Sequence, residues 1–149
     1  MKTLVKPGLA EHHQIHGVQP VLPVPDVAAA ADGFVRVLGF ELDFFYGDAP
    51  HEHGRVKAGQ MGAAGWGEQV YIHLSRDSGD IHPCGETRLH VGHDIDGLHA
   101  HALAQGAVVL HAPRDEPWGL REMTLQTPGG HVLVLGAELP RAAAEGPAA

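Results

Sequence analysis

Cysteine is nearly missing from this chain. Cys84 is the only one among 149 residues, so no disulfide can form within the chain and no cysteine-based metal motif exists. Aromatic residues are scarce at 5%, so any ring-lined pocket depends on a few named positions. Basic residues number 10 against 18 acidic ones, a formal charge of −8. That balance argues against nucleic acid as a partner, because phosphate recognition needs a basic surface. It suits solubility and would suit a cationic ligand. No apolar run approaches the roughly 18 to 20 residues of a membrane helix. Met1-Lys2 leads into a mixed segment without the apolar stretch of a secretory signal. A soluble, cytoplasmic protein without membrane association is the expectation.

What is present is punctuation, with 20 glycines and 11 prolines. The first strand is expected over Gly17 to Pro25, and Pro20, Pro23 and Pro25 confine it to an edge. Asp26 stands at a helix N-cap position, and Val27, Ala30, Ala31, Phe34, Val35 and Leu38 follow at helical spacing. Gly39 ends that helix, and Phe40 to Tyr46 reads as an aromatic-rich strand. His51-Glu52-His53 reads as part of a solvated loop, with a pair of metal ligands as the alternative. Arg55 to Ala58 and Val70 to Ser75 complete the first set of strands, separated by a Gly/Ala-rich loop carrying Trp66.

After a polar segment from Arg76 to Gly85 the pattern restarts. Glu86 to Gly92 reads as a strand, Asp94 or Asp96 as a cap, and Ile95, Leu98 and Ala102 as a helix face ended by Gly106. A strand over Ala107 to His111 follows, then a hairpin. Met123 and Leu125 alternate with Glu122, Thr124 and Gln126 before a Pro128-Gly129-Gly130 turn and a last strand, Val132 to Gly136. Each half is therefore strand, Asp, helix, Gly and three strands, an internal repeat. The domain is expected over 17–139, with module one at 17–76 and module two at 86–137. An N-terminal arm occupies 1–16 and a flexible Ala/Gly/Pro tail occupies 140–149.

Pro117-Trp118-Gly119, Arg121-Glu122 and Thr127-Pro128-Gly129-Gly130 resemble the last hairpin of the bleomycin-resistance proteins. These belong to the vicinal-oxygen-chelate superfamily with the glyoxalases and extradiol dioxygenases. The family's turn Asp is replaced here by Thr127. The likeness extends to Pro20-Val21-Leu22 with Asp26-Val27 and to Leu38-Gly39-Phe40 with Asp43-Phe44. It implies an α+β fold of two tandem β-α-β-β-β modules whose mixed sheets curl into a cup. It also implies a homodimer, because a partner's module usually completes the cup.

Enzymes of the superfamily hold a divalent metal in the cup on His, Glu or Gln. The matching positions here are Gln19 and His73, which could serve, and Thr87 and Val134, which could not. A one-residue shift, suggested by the apolar Leu89 and Val91, would turn Arg88 and His90 inward instead. No metal, cofactor or catalytic residue is therefore expected. The resemblance to the metal-free drug-binding branch implies a small organic ligand, cationic or aromatic. It would be held by Gln19, Phe44, Phe45, Trp66, His73, His90, Trp118 and Arg121. One face at most of the Phe44-Phe45-Tyr46 run can line the cup, since at least one ring belongs in the core. Each residue has a plainer reading: Trp118 as a packed structural ring, Arg121 as half of an ion pair, His73 as a satisfied strand histidine. The loop after Phe45, Asp48 to His53, departs from the drug-binding pattern and leaves the ligand open. The alternative is a metal-dependent lyase, isomerase or dioxygenase using Gln19, His73 and His90. A cofactor-free enzyme with His73 or His90 as general base is a third reading.

Overall fold

Asp26 starts the first helix by local chemistry. Its backbone is extended (φ −138°) and its carboxylate accepts a hydrogen bond from the Ala29 N–H at 3.0 Å, satisfying a donor the first helical turn leaves unpaired. The computed structural model describes residues 17–59 and 69–140. In it the chain runs β1 (Val21–Val24), α1 (Val27–Leu38), β2 (Glu41–Tyr46), β3 (His53–Ala58), β4 (Val70–Arg76), then β5 (Glu86–His90), α2 (Ile95–Ala104), β6 (Val108–Asp115), β7 (Leu120–Gln126) and β8 (Val132–Glu138). Gly39 closes α1 at φ 70°, a left-handed cap that glycine adopts without strain. Asp94, not Asp96, caps α2, accepting from the Gly97 N–H at 3.0 Å. Gly97 leaves room for this cap, because a Cβ there would sit 2.2 Å from the Asp94 carboxylate and push it aside.

The two halves build the same sheet twice, in the orders β1-β4-β3-β2 and β5-β8-β7-β6. The pairs β1·β4 and β5·β8 are parallel and the other pairings antiparallel. Thus the α+β architecture of tandem β-α-β-β-β modules is present, with its mixed sheets. β1 pairs only with β4, so its prolines interrupt no second ladder.

Several boundaries differ from the sequence expectation. β1 is shorter than Gly17 to Pro25, and Phe40 precedes β2, where it packs edge-on to Phe34 at 5.3 Å. β3 begins at His53, so His53 belongs to a strand and not to the loop. Gly54 permits this: a Cβ there would lie 2.8 Å from Val27 of α1, so helix and strand approach closely. β6 runs on to Asp115 through Pro113, with irregular pairing that absorbs the missing donor.

One apolar core lies under both modules. Leu22, Val24, Phe34, Val56, Ile72 and Leu74 from the first half join Ile95, Met123, Leu125, Leu133 and Leu135 from the second. The turn after β7 locks the seam. Pro128 lies against Gly33 of α1, Gly129 against Val24, and the buried His131 donates from Nε2 to the Pro23 carbonyl at 2.6 Å. Replacing His131 with Ala should lower stability by about 1–3 kcal/mol, because the Pro23 carbonyl loses its partner next to a new cavity. Urea unfolding checks this: the midpoint should fall at unchanged slope, and an unchanged midpoint would remove the turn from the account of module docking.

Candidate functional site

The helices cover one face of each sheet, so alternate strand residues turn to the other face. On module one the open face carries His53 and Arg55 of β3 and Tyr71, His73 and Ser75 of β4. Gln19 Oε1 lies 2.5 Å from His73 Nε2, and His53 Nε2 lies 2.8 Å from His73 Nδ1. An amide oxygen only accepts, so His73 donates from Nε2 and its Nδ1 accepts from His53. Burial, and then the neighbouring His53 and Arg55, hold His73 below the ordinary histidine range and favour its neutral ring. Arg55 lies over the rings of Phe44 (5.1 Å) and Tyr71 (4.4 Å) and pairs with Asp43 at 2.5 Å. The Arg55 hydrogen bond is also the main reason the Asp43 carboxyl sits below its usual value. Tyr46, His53 and Ser75 line the end of this face, where with Glu52, Arg76 and Ser78 they border an open groove of about 610 Å³.

On module two the open face is organised by a buried carboxylate. Glu122 is 6% exposed, and both its oxygens are engaged. Oε1 accepts from the Trp118 indole N–H at 2.7 Å and Oε2 from Arg88 at 2.5 Å. Gly136 on the neighbouring strand makes room, since a Cβ there would meet the Glu122 side chain at 3.4 Å. The indole is thus held by its edge while Trp118 stays 59% exposed in the turn before β7. The Glu122 hydrogen bond is the main cause that raises the Arg88 pKa.

The eight residues expected from sequence do not all gather. Gln19, Phe44 and His73 share the open face of module one, and Trp118 stands on that of module two. His90 ends β5 and is exposed. Strand alternation places it with Arg88 on the open side, since Leu89 packs against the core. Phe45 is a correction: it pairs with Gly54, packs against the core beneath α1 and is stacked by His51 at 4.1 Å. Arg121 is another: it points to the helix side of β7 and binds Asp96 and Asp115, each at 2.9 Å. Those two carboxylates raise its pKa, and Arg121 in turn lowers that of Asp96. Trp66 lies outside the described residues. Arg55 and the anchoring role of Glu122 were missed, while His53 and Arg88 had been weighed, as a loop histidine and as an inward-turned strand residue, without being placed among the eight. The apolar Leu89 and Val91, which pack against the core, carried the signal that turned Arg88 to the open side.

The residues do not fit a divalent ion spanning the two modules. Gln19 and His73 could ligate, but Val134 on β8 offers methyl groups. Its neighbour across the parallel pair, Arg88, is a built-in cation paired to both Glu86 and Glu122. Among the described residues no group of three or more His, Cys, Asp or Glu is placed to hold a metal.

A twice-repeated β-α-β-β-β unit with strand order 1-4-3-2 and polar open faces defines the vicinal-oxygen-chelate class of fold. The chain belongs to the Glyoxalase/Bleomycin resistance protein/Dioxygenase superfamily, whose profile matches residues 14–135. Among solved structures it is similar to the bleomycin-binding protein of bleomycin-producing Streptomyces verticillus, complexed with copper(II)-bleomycin. That likeness has 25% identity and TM-score 0.60 and covers 85% of this chain and 98% of that one. TioX from Micromonospora sp. ML1 shares 23% identity at TM-score 0.62, covering 83% of this chain and all of that one. A glyoxalase-related enzyme from Clostridium phytofermentans shares 20% at TM-score 0.68, covering 87% and 100%. No curated protein matches the chain.

Two outcomes follow from this geometry. Glu122→Ala in a Trp66→Phe background should free the Trp118 indole, raising its quenching by acrylamide, and should destabilise the fold by about 1–3 kcal/mol. Unchanged quenching would mean that Glu122 does not hold the ring. The depressed His73 pKa means the folded state binds fewer protons than the unfolded one. Its contribution is fully present above pH ~6.5 and is lost as pH falls through the folded-state value. Denaturant midpoints from pH 8 to pH 5 should therefore fall less steeply in His73→Gln than in the parent.

Proposed function

We propose that this protein binds an organic small molecule on its open sheet faces and holds it without turnover, as a bleomycin-resistance-like sequestering protein. The observation that carries the reading is the exposed Trp118 indole, clamped at its edge by buried Glu122 beside Arg88. A rigid, solvent-facing ring is a stacking platform that costs little ordering on binding. Phe44, under the Arg55 guanidinium, offers a second flat surface on the other module. The copper(II)-bleomycin complex of the Streptomyces relative supports a drug-sized ligand for the class. The poor donor set around Arg88 and Val134 favours binding over metal-assisted chemistry. A homodimer closes the cup, module one of each chain facing module two of its partner. The exposed Val21, Phe44, Tyr46 and Trp118 are the apolar residues it would cover. None of the described helices is long and apolar enough to cross a membrane, and the site is read as cytoplasmic.

The hydrogen-bonded line His53–His73–Gln19 favours one second reading, a cofactor-free proton transfer through His53. It differs in predicting a product from the bound molecule.

The first probe is bleomycin, with and without copper, titrated against tag-free Trp66→Phe protein while Trp118 fluorescence is followed. Saturable quenching is expected, and in calorimetric titration, which needs no tryptophan, Trp118→Ala should weaken binding at least about tenfold, the loss of one good stacking contact. Equal binding by Trp118→Ala would displace the platform. One Ni, Zn, Fe or Mn per chain in elemental analysis would replace this reading by a metal-dependent lyase, isomerase or dioxygenase. Absence of bleomycin binding removes that drug and sends the search to other aromatic cations. A monomer in light scattering at micromolar concentration would remove the shared cup.

A further inference from the structure

A cavity of about 120 Å³ lies at the seam between the modules, on the helix side and away from both open faces. Phe34, Val37 and Leu38 of α1 form one wall, and Ala107, Leu125 and Leu133 of module two form the other. Phe34, Leu125 and Leu133 are buried, so the floor is apolar. A water needs only about 10–15 Å³ of such space but also two to four polar partners, whereas apolar cavities of similar size stay dry and admit a benzene-sized guest. The rim is different. Arg36 borders it, with Nε on Asp32 at 2.6 Å and Nη1 on the Gln105 carbonyl at 3.3 Å. Its Nη2 has no hydrogen-bond partner among the described residues. The Asp32 pair is half exposed, of the kind that contributes little and yields readily to a competing anion.

An apolar slot of single-ring size with a guanidinium at its mouth matches a ring with an acid on it. We infer that the seam is a second binding site, for a monocyclic aromatic carboxylate whose ring enters between α1 and β7–β8 and whose carboxylate meets Arg36. The site is independent of the open-face ligand. Because its walls come from both modules, its occupant would tighten their docking.

Methyl NMR titration with benzoate, and with benzyl alcohol as the uncharged arm, tests this on the full chain. Saturable shifts are expected at Val37, Leu38, Leu125 and Leu133. Benzoate should bind roughly tenfold more tightly than benzyl alcohol, as one charge-assisted hydrogen bond would give, and Arg36→Gln should erase that difference. Ala107 has no left-handed backbone to preserve, so Ala107→Leu should fill the slot and abolish the shifts. Val37→Phe provides a second filled variant should the first fail to fold. Absence of saturable shifts with both probes would overturn the site. So would shifts that persist in the filled variants, or shifts confined to the methyls of Val21 and Val134 on the open faces. Equal affinities of the two probes would overturn the assignment of Arg36.

Discussion

Everything in this molecule depends on one constraint: two helices and two sheets bury their apolar faces in a single shared core. Ile72, Leu74, Met123 and Leu133 are almost entirely enclosed there, and each such side chain contributes roughly 1.5–3 kcal/mol relative to exposure. Strand geometry then leaves no choice about the other residues. With one face of β3, β4, β5 and β7 committed inward, His53, Arg55, His73, Arg88 and Glu122 must stand on the opposite faces. The site is the complement of the core.

The two open faces solve different problems with similar parts. On module one, the histidine pair is satisfied through Gln19 and the stacked Arg55 through Asp43. On module two, a carboxylate is taken out of water and repaid by two donors, an indole and a guanidinium. Such a group is costly if a partner is removed, which is why it holds Trp118 firmly while leaving the ring accessible. That combination of a held edge and an exposed ring separates Trp118 from a packed core ring.

The same arrangement bears on which residues could serve a metal in this superfamily's cup. The fold supplies four convergent strand positions, but their chemistry is local. Here Arg88 stands on the edge strand β5 of module two's face, reaching Glu122, and Val134 is its neighbour across the parallel pair. A fold can be shared by enzymes and binding proteins because the backbone places residues and only the side chains decide what they do.

Much of the architecture was legible along the chain. Asp26, Gly39, Asp94 and Gly106 punctuate two matching halves because caps and left-handed turns are local requirements, met by particular residue types wherever they occur. The edge placement of the proline-bearing first strand and the final hairpin followed in the same way. Ring and charge assignments did not. Which of Phe44 and Phe45 faces outward hinged on an irregularity between Leu42 and Phe44. An inserted residue there reverses the alternation, and no local pattern announces it. The strand-spacing argument could not see that Arg121 would meet Asp96 on a helix 25 residues earlier, or that Glu122 would be the residue to clamp both Trp118 and Arg88. Caps, turns and periodicity are decided within a few residues of chain. The partners of a charged side chain are decided by which strands the core brings together, and that is settled only in three dimensions.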